Sequence, residues 1–341
     1  LGKRKRNIPA ITAGLIVLLL IAAVISVLIG RYSITPDMLW EILFHGDDPL
    51  SEEVEAASLV LFEARIARIA AAVLIGAALS AAGASYQGIF RNPMVSPDIL
   101  GAATGASFGA ALAILFGASA LMIQVSAFCF GLAAVAAAYF ASSVLTRQSG
   151  GATLTLVLTG MVVSALFSAF ISIVKFVGDP YDTLPTITFW LMGGLTYVTK
   201  GDLFIMLIPF AAGMIPLLLL RWRLNILSFD DEEASSLGVD TKKTRAVIIL
   251  CATLMSSSAV AVGGMIGWVG LIVPHIARML TGPDYSRMLP CSMLTGGLFL
   301  LIVDDIARCL FAQEIPLGVL TAIIGAPFFL YLMFRGKKSF I

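Results

Sequence analysis

Residues 10–30 read AITAGLIVLLLIAAVISVLIG, directly behind Lys3-Arg4-Lys5-Arg6 and Asn7 to Pro9. The run is 21 residues long and carries no charge. At about 1.5 Å per residue, a helix of that length reaches about 31 Å, the thickness of a bilayer's hydrocarbon core. A secretory leader shares the basic flank, but its apolar region is only about 7–15 residues. The segment therefore reads as a first membrane span that is retained rather than cleaved.

The same pattern recurs to the other end of the chain. Apolar stretches lie at 10–30, 66–89, 98–116, 120–145, 153–176, 202–220, 242–264, 268–281, 289–311 and 317–334. They predict an all-α, polytopic membrane protein with about ten transmembrane helices, a single domain over 1–341. The third and eighth stretches are short or broken by Gly and Pro. Continuous rather than alternating hydrophobicity excludes a β-barrel. Composition agrees, with 59% of 341 residues hydrophobic and 13% charged, about half the charge of a wetted globular surface. A net charge of +1 offers no field to attract nucleic acid, so the expected surroundings are the lipid bilayer.

Ten crossings would return the chain to its starting side. Sixteen of the 22 lysines and arginines fall on that side, and Arg31, Arg65, Arg68, Lys175, Lys200 and Arg308 fall opposite. The excess marks the cytoplasm, so both termini are expected inside. The outer connection 31–62 is rich in Asp and Glu and is expected to lack an apolar core, with one short helix at most. Residues 177–199 predict a short helix around Phe189-Trp190, at the interface or plugging the outer end. The largest inner loop is 225–241.

Gly101, Gly105 and Gly109 predict close helix packing without chemistry. Gln87 to Pro97 forms a turn between the second and third spans, with Asp98 placed to cap the next helix. Gly267 to Arg278 is a span broken at Pro274. His275 within it has no second histidine or carboxylate nearby, which favours a structural hydrogen bond over a proton relay. Asp230 to Gly238 reads as a short capped helix ended by glycine, with Ala234 and Leu237 on one small apolar face. Arg65 and Arg68 share a face at the outer mouth of the second span, and Arg308 follows Asp304 by four residues. Spacing alone allows snorkelling with an Asp304–Arg308 ion pair, or a set of cations that receives a partner's carboxylates. The four cysteines form no C-x-x-C pair and read as small buried hydrophobes. No P-loop, H-E-x-x-H or G-x-S-x-G is present, so neither ATP binding, a metal site nor enzymatic activity is expected of this chain.

Taken in order, six stretches resemble the FecCD family, the permease subunits of ABC importers for iron–siderophores, haem and vitamin B12. They are Arg65-Ile-Ala-Arg68, Gly76 to Gly83, Gln87 to Pro97, Leu224 to Gly238, Gly267 to Arg278, and Ile315 to Phe328. The resemblance runs from about residue 60 to 335. It implies a type II ABC importer permease fold in the plasma membrane of a prokaryote, working as a homodimer or sometimes as a pseudo-dimer with a paralogue. Partners would be two cytoplasmic ABC ATPase subunits, which carry ATP and Mg, and an extracytoplasmic substrate-binding protein. The resemblance gives Arg65, Arg68 and Arg308 the docking of that protein. It gives Leu224, Asn225, Leu227, Glu233, Ala234, Leu237 and Gly238 the coupling to the ATPase. Ser149, Gly150, Gly151, Ala152 and Thr153 would form the cytoplasmic gate, here unusually rich in glycine. Asn92, Pro93, Pro97, Pro274, His275, Arg278, Pro316, Gly318 and Pro327 are shared structural positions. An ion-gradient-driven secondary transporter is the alternative, against which stands the lack of mid-span acids.

Overall fold

The computed structural model describes residues 7–44, 51–149 and 152–336, apart from the side chains of 147–149, 152 and 335. Among these residues the only regular secondary structure is helix. The elements are α1 (Ile8–Leu28), α2 (Pro36–Phe44), α3 (Glu52–Leu59), α4 (Ile66–Ile89), α5 (Ala102–Leu115), α6 (Ala120–Ser149) and α7 (Ala152–Val177). They continue with α8 (Thr183–Met192), α9 (Lys200–Ile226), α10 (Asp231–Ser236), α11 (Thr241–Gly263), α12 (Val269–Thr281), α13 (Tyr285–Cys309) and α14 (Leu317–Gly336).

Local chemistry starts these helices where the sequence allows. Asn7 caps α1, with a proline in its first turn. Thr199 and Asp202 form a reciprocal capping box on α9, Asp240 caps α11 and Asp284 caps α13. Among the described residues, eight helical runs are long and apolar enough to cross a membrane. One of them is the 38-residue segment Glu52–Ile89, in which α3 continues through a π-helical turn, Val60–Arg65, into α4. The other two expected spans are shorter. α5 has 14 residues and α12 has 13, about 21 and 20 Å against a core of about 30 Å. Both are cut at their N-termini by left-handed backbone, at Gly101 (φ 85°) and at Trp268 (φ 69°).

Small residues set the packing. α4 is buried along most of its length by Ala, Gly and Ser, and α9, α11, α12 and α13 surround it. A Cβ on Gly76 would strike the carbonyl of Gly296 on α13, and one on Gly296 would strike the carbonyl of Gly76. The two backbones therefore touch. Beside them, the Ser80 hydroxyl donates to the Ser292 carbonyl at 2.7 Å, the kind of polar link that joins helices in lipid. α5 lies on α6 in the same manner, with Gly105 against the Phe130 carbonyl and Gly109 against that of Ser126. α1 stands at the rim. Of its residues only Leu15 and Ser26 are buried, while Val17, Leu18, Leu20 and Val24 face outward.

Three expectations change. The connection 31–62 does have an apolar core, in which Ile34, Ala57 and Leu61 pack with Val27 and Met38, and it contains two α-helices. Its apolar residues are spaced across two short helices, so no single run shows the cluster. Asp98 does not cap α5: it sits in a 3-10 turn, Pro97–Leu100, and Gly101 occupies the cap position without a side-chain bond. Cys251 and Cys291 are buried as expected, but Cys129 and Cys309 are exposed.

Candidate functional site

The loops at the two ends of the bundle hold the polar structure. At the end where α4 finishes and α11 begins, α9 runs on to Ile226, and the chain turns into the six-residue helix α10. Leu224 and Leu227 are fully buried and anchor this turn to the bundle. Asn225 reaches sideways to the next connection. Its amide donates to Asp284 at 2.8 Å, and its carbonyl oxygen accepts from the Tyr285 backbone N–H at 2.8 Å. Burial raises the Asp284 carboxyl, but the bonds from Asn225 and Ser286 outweigh it and hold the group below the usual carboxylate range.

α10 is clamped from its first turn. Arg91, at the end of α4, donates to the Leu227 carbonyl at 3.0 Å, to Asp230 at 2.7 Å and to Asp231 at 3.1 Å. Arg245 on α11 grips Asp231 from the other side at 2.6 and 3.0 Å. To make these contacts Arg91 takes a left-handed backbone (φ 50°), which a side chain rarely adopts. Gly238 (φ 80°) ends the helix as expected. Ala234 and Leu237 do not form one face. Ala234 is buried against the bundle, and Leu237 stands 60% exposed, because α10 ends at Ser236 and Leu237 is its cap residue, with non-helical backbone (ψ 7°). Of the residues expected to couple, Glu233, Leu237 and Gly238 are open to a partner. Leu224, Asn225, Leu227 and Ala234 hold the element in place.

The turn after α4 is fixed to α12. The Gln87 amide donates to the carbonyls of Leu271 at 3.2 Å and Val95 at 3.4 Å, and Arg278 donates to the Gln87 carbonyl oxygen at 3.4 Å. Asn92 accepts from the Met94 N–H at 2.9 Å and Pro97 packs under Gly270, so Asn92, Pro93 and Pro97 shape this turn. Pro274 is buried within α12. His275 is half-buried and, among the described residues, has no hydrogen-bond partner, so the expected structural bond is not formed. Gly318 lies against the carbonyls of Met192 and Met265, and the Pro316 carbonyl opens α14, in which Pro327 lies. Gly150 and Gly151 lie outside the described residues, as do the side chains of Ser149 and Ala152. Thr153 is half-buried in the first turn of α7.

At the opposite end, the three arginines are inside the protein. Arg65 and Arg308 are each 5% exposed. Arg65 donates to the carbonyls of Val27 and Tyr32. Arg68 embraces the fully buried Asp304 at 2.8–3.1 Å and pairs with Glu314 at 3.0 Å. Arg308 bonds Asp305 and the Ser26 carbonyl, the latter at 2.8 Å, and its Nε stands 3.9 Å from Asp304. Thr196 donates to Glu314 at 2.7 Å. Burial pushes the Glu314 carboxyl up, while Arg68 and Thr196 bring it below its usual range. The expectation of free cations is corrected accordingly: Arg68 and Arg308 are paired with Asp304, Asp305 and Glu314, and Arg65 is buried on the carbonyls of Val27 and Tyr32. Their network ties α1, α4, α13 and the segments around 196 and 314. Spacing showed the i, i+4 acid of Arg308 but not the stronger claim of Arg68 on it, 236 residues away. Sequence reading likewise gave no role to Arg91 and Arg245. Neither adjoins the acidic run in sequence: Arg91 lies 139 residues from Asp230, and Arg245 lies 14 from Asp231.

Residues 18–335 match the model of the FecCD transport family. Among curated proteins, the molybdate import permease MolB of Haemophilus influenzae is 41% identical over 97% of each chain. The Fe(3+)-citrate import permease YfmE of Bacillus subtilis is 36% identical over 99% of this chain and 98% of its own. Among solved structures, an ABC transporter of metal-chelate type in an inward-facing conformation is 40% identical. It covers 96% of this chain and 99% of that one, with a TM-score of 0.85.

Proposed function

The chain belongs to the FecCD transport family and is an ABC importer permease, and from that premise we propose that it carries a metal chelate or metal oxyanion inward on power borrowed from a separate ATPase. The observation that carries this reading is α10, a short helix clamped by Arg91 and Arg245 with Leu237 projecting from it. Its charged bonds make it a rigid lever rather than a solvated loop. A push on Leu237 and Glu233 is passed through Asp231 to the ends of α4 and α11. Two copies of the chain, each seated on one ATPase subunit, would rock about their shared axis and open the path to alternate sides. The acid-clamping end is then cytoplasmic, with both termini beside it in the inner membrane of a prokaryote. An extracytoplasmic binding protein delivers cargo to the opposite end, over the brace formed by Arg65, Arg68 and Arg308. Relatives named for molybdate and for iron citrate support a metal-bearing, anionic cargo.

The test is Leu237→Asp. The variant inserts normally and loses co-purification with the ATPase, together with ATP-dependent uptake in proteoliposomes. Retained co-purification would overturn the coupling role. Uptake that persists without any ATPase and stops when an ion gradient is collapsed would overturn the importer mechanism itself.

A further inference from the structure

A cavity of about 340 Å³ lies between the ends of α4, α6, α7 and α11, beside the clamped helix α10. Its size falls in the range of small-ligand sites, about 300–1,000 Å³. Phe90, Leu156 and Ile249 supply apolar wall, and the polar lining is of one kind. Lys242 and Arg245 are cations, and Tyr139, Ser142, Ser143, Thr146 and Thr153 carry hydroxyls that can donate. Among the described residues no carboxylate lines it.

Apart from the two Arg245 nitrogens that hold Asp231, the lining groups are largely unspent. The nearby acids are engaged elsewhere: Asp231 holds Arg91 and Arg245, and Asp240 pairs with Lys243. Among the described residues Lys242 makes no ion pair, and Arg245 keeps a buried Nε without an acceptor. Ser142 is 5% exposed and, unlike Ser143, which donates to the Phe140 carbonyl at 2.7 Å, makes no hydrogen bond among the described residues. A buried helical hydroxyl ordinarily takes a carbonyl one turn back. The Ser142 oxygen is open to the cavity rather than sealed in the bundle, so it is available to donate to a ligand there. Thr146 and Thr153 are likewise without a partner among the described residues.

Cations, hydroxyls with protons to donate and no carboxylate among the described lining residues define what fits. The geometry points to a binding site for a tetrahedral oxyanion, a phosphate group held by Lys242 and Arg245 and bonded by Ser142, Thr146 and Thr153. The phosphate has two sources: the head of an anionic phospholipid, whose chains would lie on the apolar wall, or a free anion from solution. The site sits against the helix pair that carries α10, so its occupancy bears on how firmly that element is held.

Full-length protein in nanodiscs and in detergent separates these. Binding is read by native mass spectrometry with phosphatidylglycerol against phosphatidylcholine, and by calorimetric titration with inorganic phosphate. Retention of phosphatidylglycerol over phosphatidylcholine supports the lipid source, and saturable phosphate binding without lipid preference supports the free anion. In either case Lys242→Gln, an exposed side chain that braces nothing, weakens binding about tenfold, and Ser142→Ala weakens it severalfold. Circular dichroism unchanged in both variants excludes misfolding as the cause. Absence of binding by either probe overturns the proposal, as does equal binding by wild type and both variants.

Discussion

Replacing Asp304 with alanine removes the one carboxylate that is fully buried, among the described residues, at the end opposite α10. Asp304 accepts three bonds from Arg68, at 2.8, 2.9 and 3.1 Å. Arg308 stands 3.9 Å from its other oxygen. Without it, a guanidinium that is 12% exposed keeps only Glu314. Removing one partner of a buried pair typically costs about 3–5 kcal/mol, since the remaining charge is left without compensation. Glu314 still holds Arg68, so the lower end applies: about 3 kcal/mol, or roughly a hundredfold in the ratio of folded to unfolded protein. Unfolding in mixed micelles, titrated with a denaturing detergent and followed by far-UV circular dichroism, measures it. The double variant Arg68→Met with Asp304→Leu removes both charges together and should recover most of the loss. Asp304→Ala within about 0.5 kcal/mol of wild type, at an unchanged slope, would refute the claim that this network braces the bundle.

Two further outcomes follow from the other end. Arg91→Ala deletes the bonds to Leu227, Asp230 and Asp231, so limited proteolysis should cut 227–240 at least several times faster while the helical content is unchanged. Equal cleavage rates would mean that Arg245 alone fixes α10. The Asp284 carboxyl is held below its ordinary value of about 3.9. Its stabilisation is therefore complete above about pH 4 and lost as pH falls through the lowered folded value. Asp284→Asn should flatten the acid limb of the stability profile, and an unaltered limb would remove Asp284 from the account.

The fold was legible because long apolar runs admit one reading in lipid. The helices α1, α4, α6, α7, α9, α11, α13 and α14 all lie where continuous hydrophobicity put them. What escaped was the backbone detail that shortens α5 and α12. A tryptophan at φ 69° cannot be read from its type, because left-handed backbone at Trp268 is imposed by packing rather than by preference. The site was half legible. Gly238 and the acids of α10 announced a short helix, since glycine at a helix end and acids in a first turn are local signals. Its clamp was not legible, because Arg91 lies 139 residues from Asp230. The arginines at the opposite end misled for the same reason. A guanidinium beside an outer loop looks free until the fold brings Glu314 back over it.

The contact of Gly76 with Gly296 has a mechanical consequence. Where side chains separate two helices, rotamers can shift and let one slide past the other. Here no such lubricant exists, and a slip of even an ångström drives carbonyl into Cα. The two rods move as a single stave, so whatever bending accompanies a transport cycle must be absorbed at seams padded by larger side chains.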